Sequence, residues 1–568
     1  MKKSLGYLKP YAGTVAAGLI FKFIGSVAEL FLPIILKYII DDVVPTKDMR
    51  MLAIFGGAML GFSLVALFGN IIANRLAAIS SGKMTRDLRY DLFKKISYLN
   101  SGEVDAFTLP SLVSRLTSDT YYVNQAVARS LRLGVRAPIL LIGGVAVTFI
   151  IDWRLALVLL ACVPVVTFAS VLITKRSIPK YAKVQQSGDL AVRAMQENIS
   201  GVRVIKALSK TQYEEEKFRN INDGLTSAEF NTNRLVALTN PLATLVLNLG
   251  LAAVIAVGAV LGAQSGTVLA FLQLFTIILN AMLGMSKIFV SLSQGVASAD
   301  RVEQVLSADG SMPVLAQDTE KEKSGEYKIE FDGVSFSYNG KESNLQGISF
   351  RIKAGQTVGV IGGTGSGKTT LVNLLMRFYD VDKGTVYVDG RDVRTYPAGE
   401  LRRKFGTAFQ NDFLIASTVR ENVDYFRGLS DEQIERALKC SCADEFVYGL
   451  EGGLEFKLAQ KAANLSGGQK QRLLVARALA ANPEILILDD SSSALDYATD
   501  ARLRKGVKQY YPDCTKFIVA QRVSAVRHAD LILVLDDGKV IGAGTHSQLL
   551  EECEEYAQIC AVQTGGEL

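Results

Sequence analysis

The spacing of hydrophobic positions changes character near residue 300. Up to about Leu292 they come in long runs; beyond Gly325 they come in short runs between polar and glycine-rich stretches. Six runs lie near Thr14–Ile40, Met51–Ala78, Leu133–Ile151, Leu155–Ile173, Val236–Ala263 and Val268–Leu292. Each approaches or exceeds the about 20 mainly apolar residues a bilayer requires, which predicts six membrane-spanning helices. The connections Asp41–Arg50, Asp152–Arg154 and Gln264–Thr267 are short, whereas those between spans two and three and between spans four and five are long. The long ones keep a helical period, as if the membrane helices continue beyond the bilayer. Ser307–Gly325 is a polar linker with Gly310, Pro313 and a Lys/Glu run. After it, short apolar strands at Tyr327–Phe331, Thr357–Ile361, Glu484–Leu488, Lys516–Ala520 and Leu531–Leu535 alternate with helical segments. That alternation predicts an α/β domain around a largely parallel sheet. The chain is therefore divided into an all-α polytopic membrane domain (1–306), a linker (307–325) and an α/β domain (326–568).

Charge gives the orientation. The long connections carry Lys83, Arg86, Arg89, Lys94, Lys95 and Arg115, then Lys175, Arg176, Lys180, Lys183, Arg203 and Lys206. The short ones hold Lys47, Arg50 and Arg154, offset by Asp41, Asp42, Asp48 and Asp152. The positive-inside bias puts the long connections, both termini and the α/β domain in the cytoplasm, beneath a plasma membrane that we expect to be bacterial. A net charge of +6 over 568 residues fits cytoplasmic loops better than a nucleic-acid surface, so no nucleic-acid partner is expected. The Met1-Lys2-Lys3 start leads into an apolar run too long for a signal peptide, so a retained helix is expected. Six scattered cysteines and two histidines make no zinc constellation, and disulfides are not expected in the cytosolic half.

Lys22 and Glu29 lie seven residues apart within the first span, on one helix face. Charges inside a membrane mark functional sites, here a substrate cavity, or pair structurally with neighbouring helices; both readings stay open. Asn70, Asn74, Asn240, Asn248, Gln273 and Asn280 add polar points, which would suit an amphipathic cargo. Pro164 and Pro241 are candidate kinks.

The chemistry is concentrated in the α/β domain. Gly362-x-x-x-x-Gly367-Lys368-Thr369 follows a strand and precedes the apolar run Leu371–Phe378, the context of a phosphate-binding loop. In it, the backbone N–H groups of Gly363, Thr364, Gly365, Ser366, Gly367 and Thr370 would face phosphates, and Lys368 would reach the β/γ oxygens. The Thr369 hydroxyl would ligate Mg²⁺. ATP and Mg²⁺ are the expected cofactors. Ser466-Gly467-Gly468-Gln469 opens an amphipathic helix with Arg472 and Arg477 and makes a second anion cradle. The buried strand Ile485–Leu488 then delivers Asp489 and Asp490.

Together these motifs resemble the ATP-binding cassette superfamily, specifically exporter-type half-transporters, and the resemblance covers essentially the whole chain. It implies that Tyr338 stacks on adenine, that Gln410 senses Mg²⁺ and the γ-phosphate, and that Asp489 holds Mg²⁺. It also implies that Ser493-Ala-Leu-Asp496 crosses to a second cassette, and that Ser466–Gln469 close the ATP site of another chain. Short coupling helices are implied near Ser101–Phe107 and Thr211–Glu216.

Two positions depart from the family. Asp490 stands where the family has the glutamate that polarises the attacking water. The missing methylene withdraws the carboxylate by about 1 Å, a misplacement that can cost roughly 100-fold. Gln521 stands where the family has a histidine on the γ-phosphate; it can donate a hydrogen bond but carries no charge. A smaller departure is Leu458-Ala-Gln460-Lys461-Ala-Ala, where exporters usually have an acidic residue and glycines. An intact binding set beside two altered chemical positions implies a degenerate-site subunit of a heterodimeric exporter of the multidrug, peptide or lipid type. Its partner would be a second half-transporter that carries the catalytic glutamate. The alternatives are a slow homodimeric exporter and an ATP-gated membrane regulator that moves no cargo.

Overall fold

The apolar runs fold as helices far longer than a bilayer needs, because their polar flanks keep the same period. In the computed structural model, which describes residues 5–310, 312–316, 325–410, 412–491 and 495–564, the first unit comprises Met1–Tyr98 and Phe107–Asp309. Its principal helices are α1 (Ala12–Tyr38) and α2 (Met49–Ser97); beyond α3 (Ser101–Phe107) come α4 (Thr120–Leu133) and α5 (Arg136–Ile151). They continue with α6 (Trp153–Ser200), α7 (Thr211–Val236), α8 (Thr239–Leu261) and α9 (Ser265–Leu306). The 49 residues of α2 span about 74 Å at 1.5 Å per residue, more than twice a hydrocarbon core. Among the described residues, five helical stretches are long and apolar enough to cross a membrane, and the apolar helix Trp153–Cys162 opens the fourth expected span.

Asp41, Asp48 and Asp152 of the short connections bond helix starts as well as offsetting charge. Asp48 accepts from the N–H groups of Arg50 and Met51 at the start of α2, and Asp152 does the same for Arg154 and Leu155 at the start of α6. Asp41 reaches the start of α9, accepting from Gly266 N–H (2.6 Å) and the Thr267 hydroxyl (3.1 Å). Pro241 lies in the first turn of α8, where its missing N–H costs nothing, so it marks a helix start rather than a mid-span kink. Pro164 lies inside α6. A break that the hydrophobic pattern does not predict falls at Gly134–Val135, four and three residues before Pro138. The proline ring disturbs the carbonyl four residues earlier. A Cβ on Gly134 would sit 2.4 Å from the Ser130 carbonyl oxygen.

Both charges in the first span find neighbours. Lys22 Nζ donates to Asn74 Oδ1 (3.1 Å), and Arg136 donates to both Glu29 oxygens (2.8 and 2.9 Å). The Arg136 and Glu29 side chains are 36 % and 23 % exposed. Arg136→Ala alone is therefore expected to cost about 2 kcal/mol, between the values for exposed and fully buried pairs. The Glu29→Gln/Arg136→Gln double variant should lose less, since it leaves no lone charge. Thermal unfolding of the full chain in detergent checks both; equal losses would remove the pair as a stabilising contact.

The second unit comprises Leu99–Ala106 and Gly310–Leu568. Its six-stranded sheet uses β3 (Thr357–Gly362), β6 (Phe405–Ala408), β7 (Ile485–Asp489), β8 (Thr515–Val519), β9 (Leu531–Asp536) and β10 (Lys539–Gly544). The order is β10-β9-β3-β8-β7-β6, parallel except for β10. Four of the five expected strands lie in it. The first belongs instead to β1 (Ile329–Phe336), in an antiparallel sheet with β2 (Leu345–Ile352), β4 (Lys383–Val388) and β5 (Arg391–Asp392). Phe331 and Phe350 of that sheet stack at 4.6 Å and share one core with Val360, Phe517 and Leu533 of the parallel sheet. Three helices matter below: α10 (Lys368–Leu375), α11 (Gly467–Ala480) and α12 (Tyr497–Tyr510). The expected short helix at Ser101–Phe107 is present as α3. Residues 211–216, by contrast, are the first turns of α7, and the separate short helix in that connection is Val202–Ala207, just after Gly201 closes α6.

Candidate functional site

Parallel strands deliver their following loops to one edge of a sheet, and that edge is where open α/β sheets bind ligands. The order β3-β8-β7-β6 therefore lines up the loop after Gly362, Gln521, the pair Asp489–Asp490, and Gln410.

The loop after β3 is tight. Gly365 and Gly367 have φ of 88° and 99°, which glycine adopts without penalty. At Gly362 a Cβ would lie 2.1 Å from the Leu535 carbonyl oxygen and 2.8 Å from Ser366 Oγ, so no side chain fits. Lys368 folds back over the loop and donates to the Gly362 (3.0 Å) and Gly363 (2.6 Å) carbonyls. Burial holds its ammonium below the usual lysine range, against the pull of Asp489 and Asp490. Thr369 donates its hydroxyl to Asp489 Oδ2 (3.1 Å), and Asp489 is buried at the end of β7. Burial pushes the Asp489 carboxyl above its ordinary range, offset by that hydroxyl and by Lys368, while Asp490 adds to the rise. A buried carboxylate and a hydroxyl in contact make an oxygen donor set that fits a hard divalent cation. Thr364 and Thr370 flank the same loop, and Thr370 is buried.

Asp490 is where this site is distinctive. Its backbone lies in the left-handed region (φ 51°), a conformation aspartate tolerates better than most residues. Its Oδ2 accepts from Gln410 Nε2 (3.0 Å) and from Gln521 Nε2 (3.3 Å). Burial raises this carboxyl, and the Gln410 hydrogen bond, Lys368 and Arg522 offset the rise. The two residues that depart from the resembled pattern thus touch each other, across the neighbouring strands β7 and β8, and share Gln410.

Tyr338 follows β1 and is part-exposed. Its hydroxyl donates to Thr370 Oγ1 (3.4 Å) and accepts from Asn373 Nδ2 (3.0 Å), which ties the ring to α10. Phe336 and Tyr379 hold it edge-on at 4.8 and 4.9 Å. Tyr379 in turn donates its hydroxyl to Asp105 in α3, within the same unit. This aromatic trio went unnoticed in the sequence; its trace was the pairing of Phe336-x-Tyr338 with Tyr379 just after α10.

Ser466 caps α11 with a reciprocal box: its Oγ accepts from Gln469 N–H (3.3 Å), and Gln469 Oε1 accepts from Ser466 N–H (2.9 Å). Ser466 and Gly467 are exposed, and nothing lies within 4 Å of a Cβ built on Gly467. The free N–H groups of the first turn, including that of Gly468, can serve as an outward-facing anion cradle. Asp496 caps α12, accepting from Thr499 N–H and Oγ1 (both 2.8 Å); Ser493 and Ala494 before it lie outside the described residues. Just before Ser466, Lys461 and Ala462 both have positive φ (56° and 49°). The backbone there keeps a glycine-like path that these two side chains must tolerate.

Comparison with known proteins gives the family. The ABC transporter transmembrane region matches residues 15–282, and the ABC transporter cassette matches residues 345–493. The chain is 33 % identical over its whole length to the ABC transporter ATP-binding protein YfiB of Bacillus subtilis, covering 99 % of that protein. It is 30 % identical to an ATP-dependent lipid A-core flippase of Pseudomonas fluorescens, over 98 % of this chain and 95 % of the flippase. Its fold is that of a bacterial Atm1-family ABC exporter with ATP bound, with a TM-score of 0.80 at 22 % identity, over 97 % of this chain and 98 % of that one. This is a multi-pass protein of a bacterial plasma membrane with an ATP-binding domain, and the chain belongs to the ABC transporter family as an exporter-type half-transporter.

Proposed function

We propose that this chain is one half of a heterodimeric ATP-driven exporter whose own nucleotide site binds Mg-ATP well and cuts it poorly. The observation that carries this reading is the carboxylate of Asp490, one methylene short and held by the amides of Gln410 and Gln521. A general base must reach the attacking water, and general-base catalysis is worth about 10²–10⁴-fold. The binding set around it is complete: Tyr338 for the adenine, the Gly363–Lys368 loop with Thr370 for the phosphates, and Thr369, Gln410 and Asp489 for Mg²⁺. When bound, the cation would supply positive charge beside the phosphates. Asp489 and Thr369 would fix its place, Lys368 would swing from the loop carbonyls to the phosphates, and Gln410 would join it only by releasing Asp490.

The exposed N-terminus of α11, Ser466 to Gln469, together with Asp496, would complete a catalytic site on a partner chain that carries the glutamate. ATP binding would draw the two cassettes together and turn the membrane domain outward; hydrolysis at the partner's site would reset it. The relatives named as lipid A-core flippases act on a lipid, which supports an amphipathic cargo here. The composition of the complex tests the reading. Purified under mild detergent from its native membrane, this chain should come with a second, different half-transporter in equal amount. It should also retain ATP after the complex has turned over. A complex of this chain alone that hydrolyses ATP at an ordinary rate and transports would overturn the heterodimer.

A further inference from the structure

The first unit carries more positive than negative charge at one level of its helices. Lys22, Ser26 and Glu29 follow one face of α1. Glu29 is neutralised by Arg136, while Lys22, 3 % exposed, hydrogen-bonds the neutral amide of Asn74. Arg132 lies four residues before Arg136, across the break at Gly134–Val135, is exposed, and makes no ion pair among the described residues. Lys22 is within electrostatic range of Arg132, Arg136 and Glu29, so three cations share one carboxylate. Two buried donors at this level also lack a hydrogen-bond partner among the described residues: Ser26 Oγ and Arg136 Nε.

Depth along the helices places the group. Lys22 is about 24 Å from the outer end of α1 at Tyr38, and Arg132 about 30 Å from the outer turn at Asp152, at 1.5 Å per residue. A hydrocarbon core is about 30 Å thick, so Arg132 stands at its cytoplasmic edge, with Lys22 and Arg136 about one turn deeper. Uncompensated charge there is costly, and an anion that arrives with its own apolar tail relieves the cost without leaving the bilayer. Guanidinium forks match phosphate and carboxylate oxygens in pairs of hydrogen bonds.

We propose that Arg132 and Arg136, backed by the buried Lys22 and Ser26, take the anionic headgroup of an amphiphile from the cytoplasmic leaflet. This rests on the exporter reading and narrows its cargo to anionic amphiphiles. The excess charge asks for a headgroup with one or two negative charges, and the position asks for a tail.

The test is binding without nucleotide, with the full-length chain and its native partner in phosphatidylcholine nanodiscs. The probe is dodecyl phosphate, compared with neutral dodecyl maltoside, cationic dodecyltrimethylammonium and inorganic phosphate. Dodecyl phosphate should bind most tightly, and inorganic phosphate at equal concentration should not displace it. Arg132→Gln should weaken dodecyl phosphate about tenfold, the loss of one charge-assisted contact, without lowering the melting temperature. Arg132→Lys should recover part of the loss. The Glu29→Gln/Arg136→Gln pair, which leaves no lone charge, should also weaken it. Equal binding of the three amphiphiles, or an unchanged affinity in Arg132→Gln, would overturn the proposal. Full displacement by inorganic phosphate would overturn the amphiphile in favour of a soluble anion. ATP-driven flux of a neutral or cationic amphiphile, with no dodecyl phosphate binding, would sink this inference and leave the exporter. Tight dodecyl phosphate binding with no ATP-driven flux of any amphiphile would do the reverse.

Discussion

The double variant Asp490→Glu/Gln521→His should raise Mg-ATP turnover at this chain's own site by about 10²-fold, with nucleotide affinity little changed. In the wild-type chain the carboxylate is drawn between two amides on neighbouring loops, and Gln410 is committed to it. The longer side chain reaches the water position, and the imidazole replaces one of the two amides with a group that can carry charge toward the γ-phosphate. Either change alone should recover less, because Asp490 and Gln521 are in contact and their effects are coupled. The measurement is single-turnover hydrolysis by the chain assembled with a partner whose own catalytic glutamate is replaced by glutamine, with binding of a fluorescent ATP analogue as control. A wild-type chain that alone already turns over at about 1–10 s⁻¹ would show that both substitutions are tolerated in a working enzyme.

A second large effect is expected at the opposite end of the cassette's chemistry. Gly467→Asp should abolish ATP turnover by the assembled complex, by about 10²-fold or more, while this chain remains folded and still binds ATP. A Cβ at Gly467 meets nothing within 4 Å, and a carboxylate in the first turn of a helix is favoured by the helix dipole. The fold therefore accepts the change. An anion placed in an anion cradle, however, repels the γ-phosphate that the cradle would hold for the partner. The same change at the corresponding place in the partner should matter far less, since that helix would face the degenerate site. Unchanged turnover with Gly467→Asp would show that α11 completes no catalytic site.

The membrane helices were legible because a bilayer imposes a length that few other structures need, and charge in the loops then oriented them. The parallel sheet was legible through buried runs such as Ile485–Leu488. The antiparallel sheet was not. Register shifts break β1 between Phe331 and Val334 and again before Phe336, and Gly333 and Gly347 take positive φ, so the period of two is lost where it would have been read. At the nucleotide site, residue types alone carried the identities of Lys368, Asp489 and the two departures. That Asp490 and Gln521 touch could not be read, because it depends on β7 and β8 being neighbours. Arg136 is masked by the apolar run around it; Glu29, equally out of place in its own run, is the signal that a cation must lie nearby.

The Glu29–Arg136 pair also has a timetable. The carboxylate is synthesised 107 residues before its cation, which at about 5–20 residues per second is a wait of roughly 5–20 s on the ribosome. During that interval the first span carries a lone acidic group, an insertion burden on the order of 3 kcal/mol. It becomes a self-sufficient membrane helix only when the third span emerges. The first three spans therefore enter the bilayer as one unit of biogenesis, and a nascent chain arrested before Arg136 should stay beside the insertion machinery rather than partition into lipid.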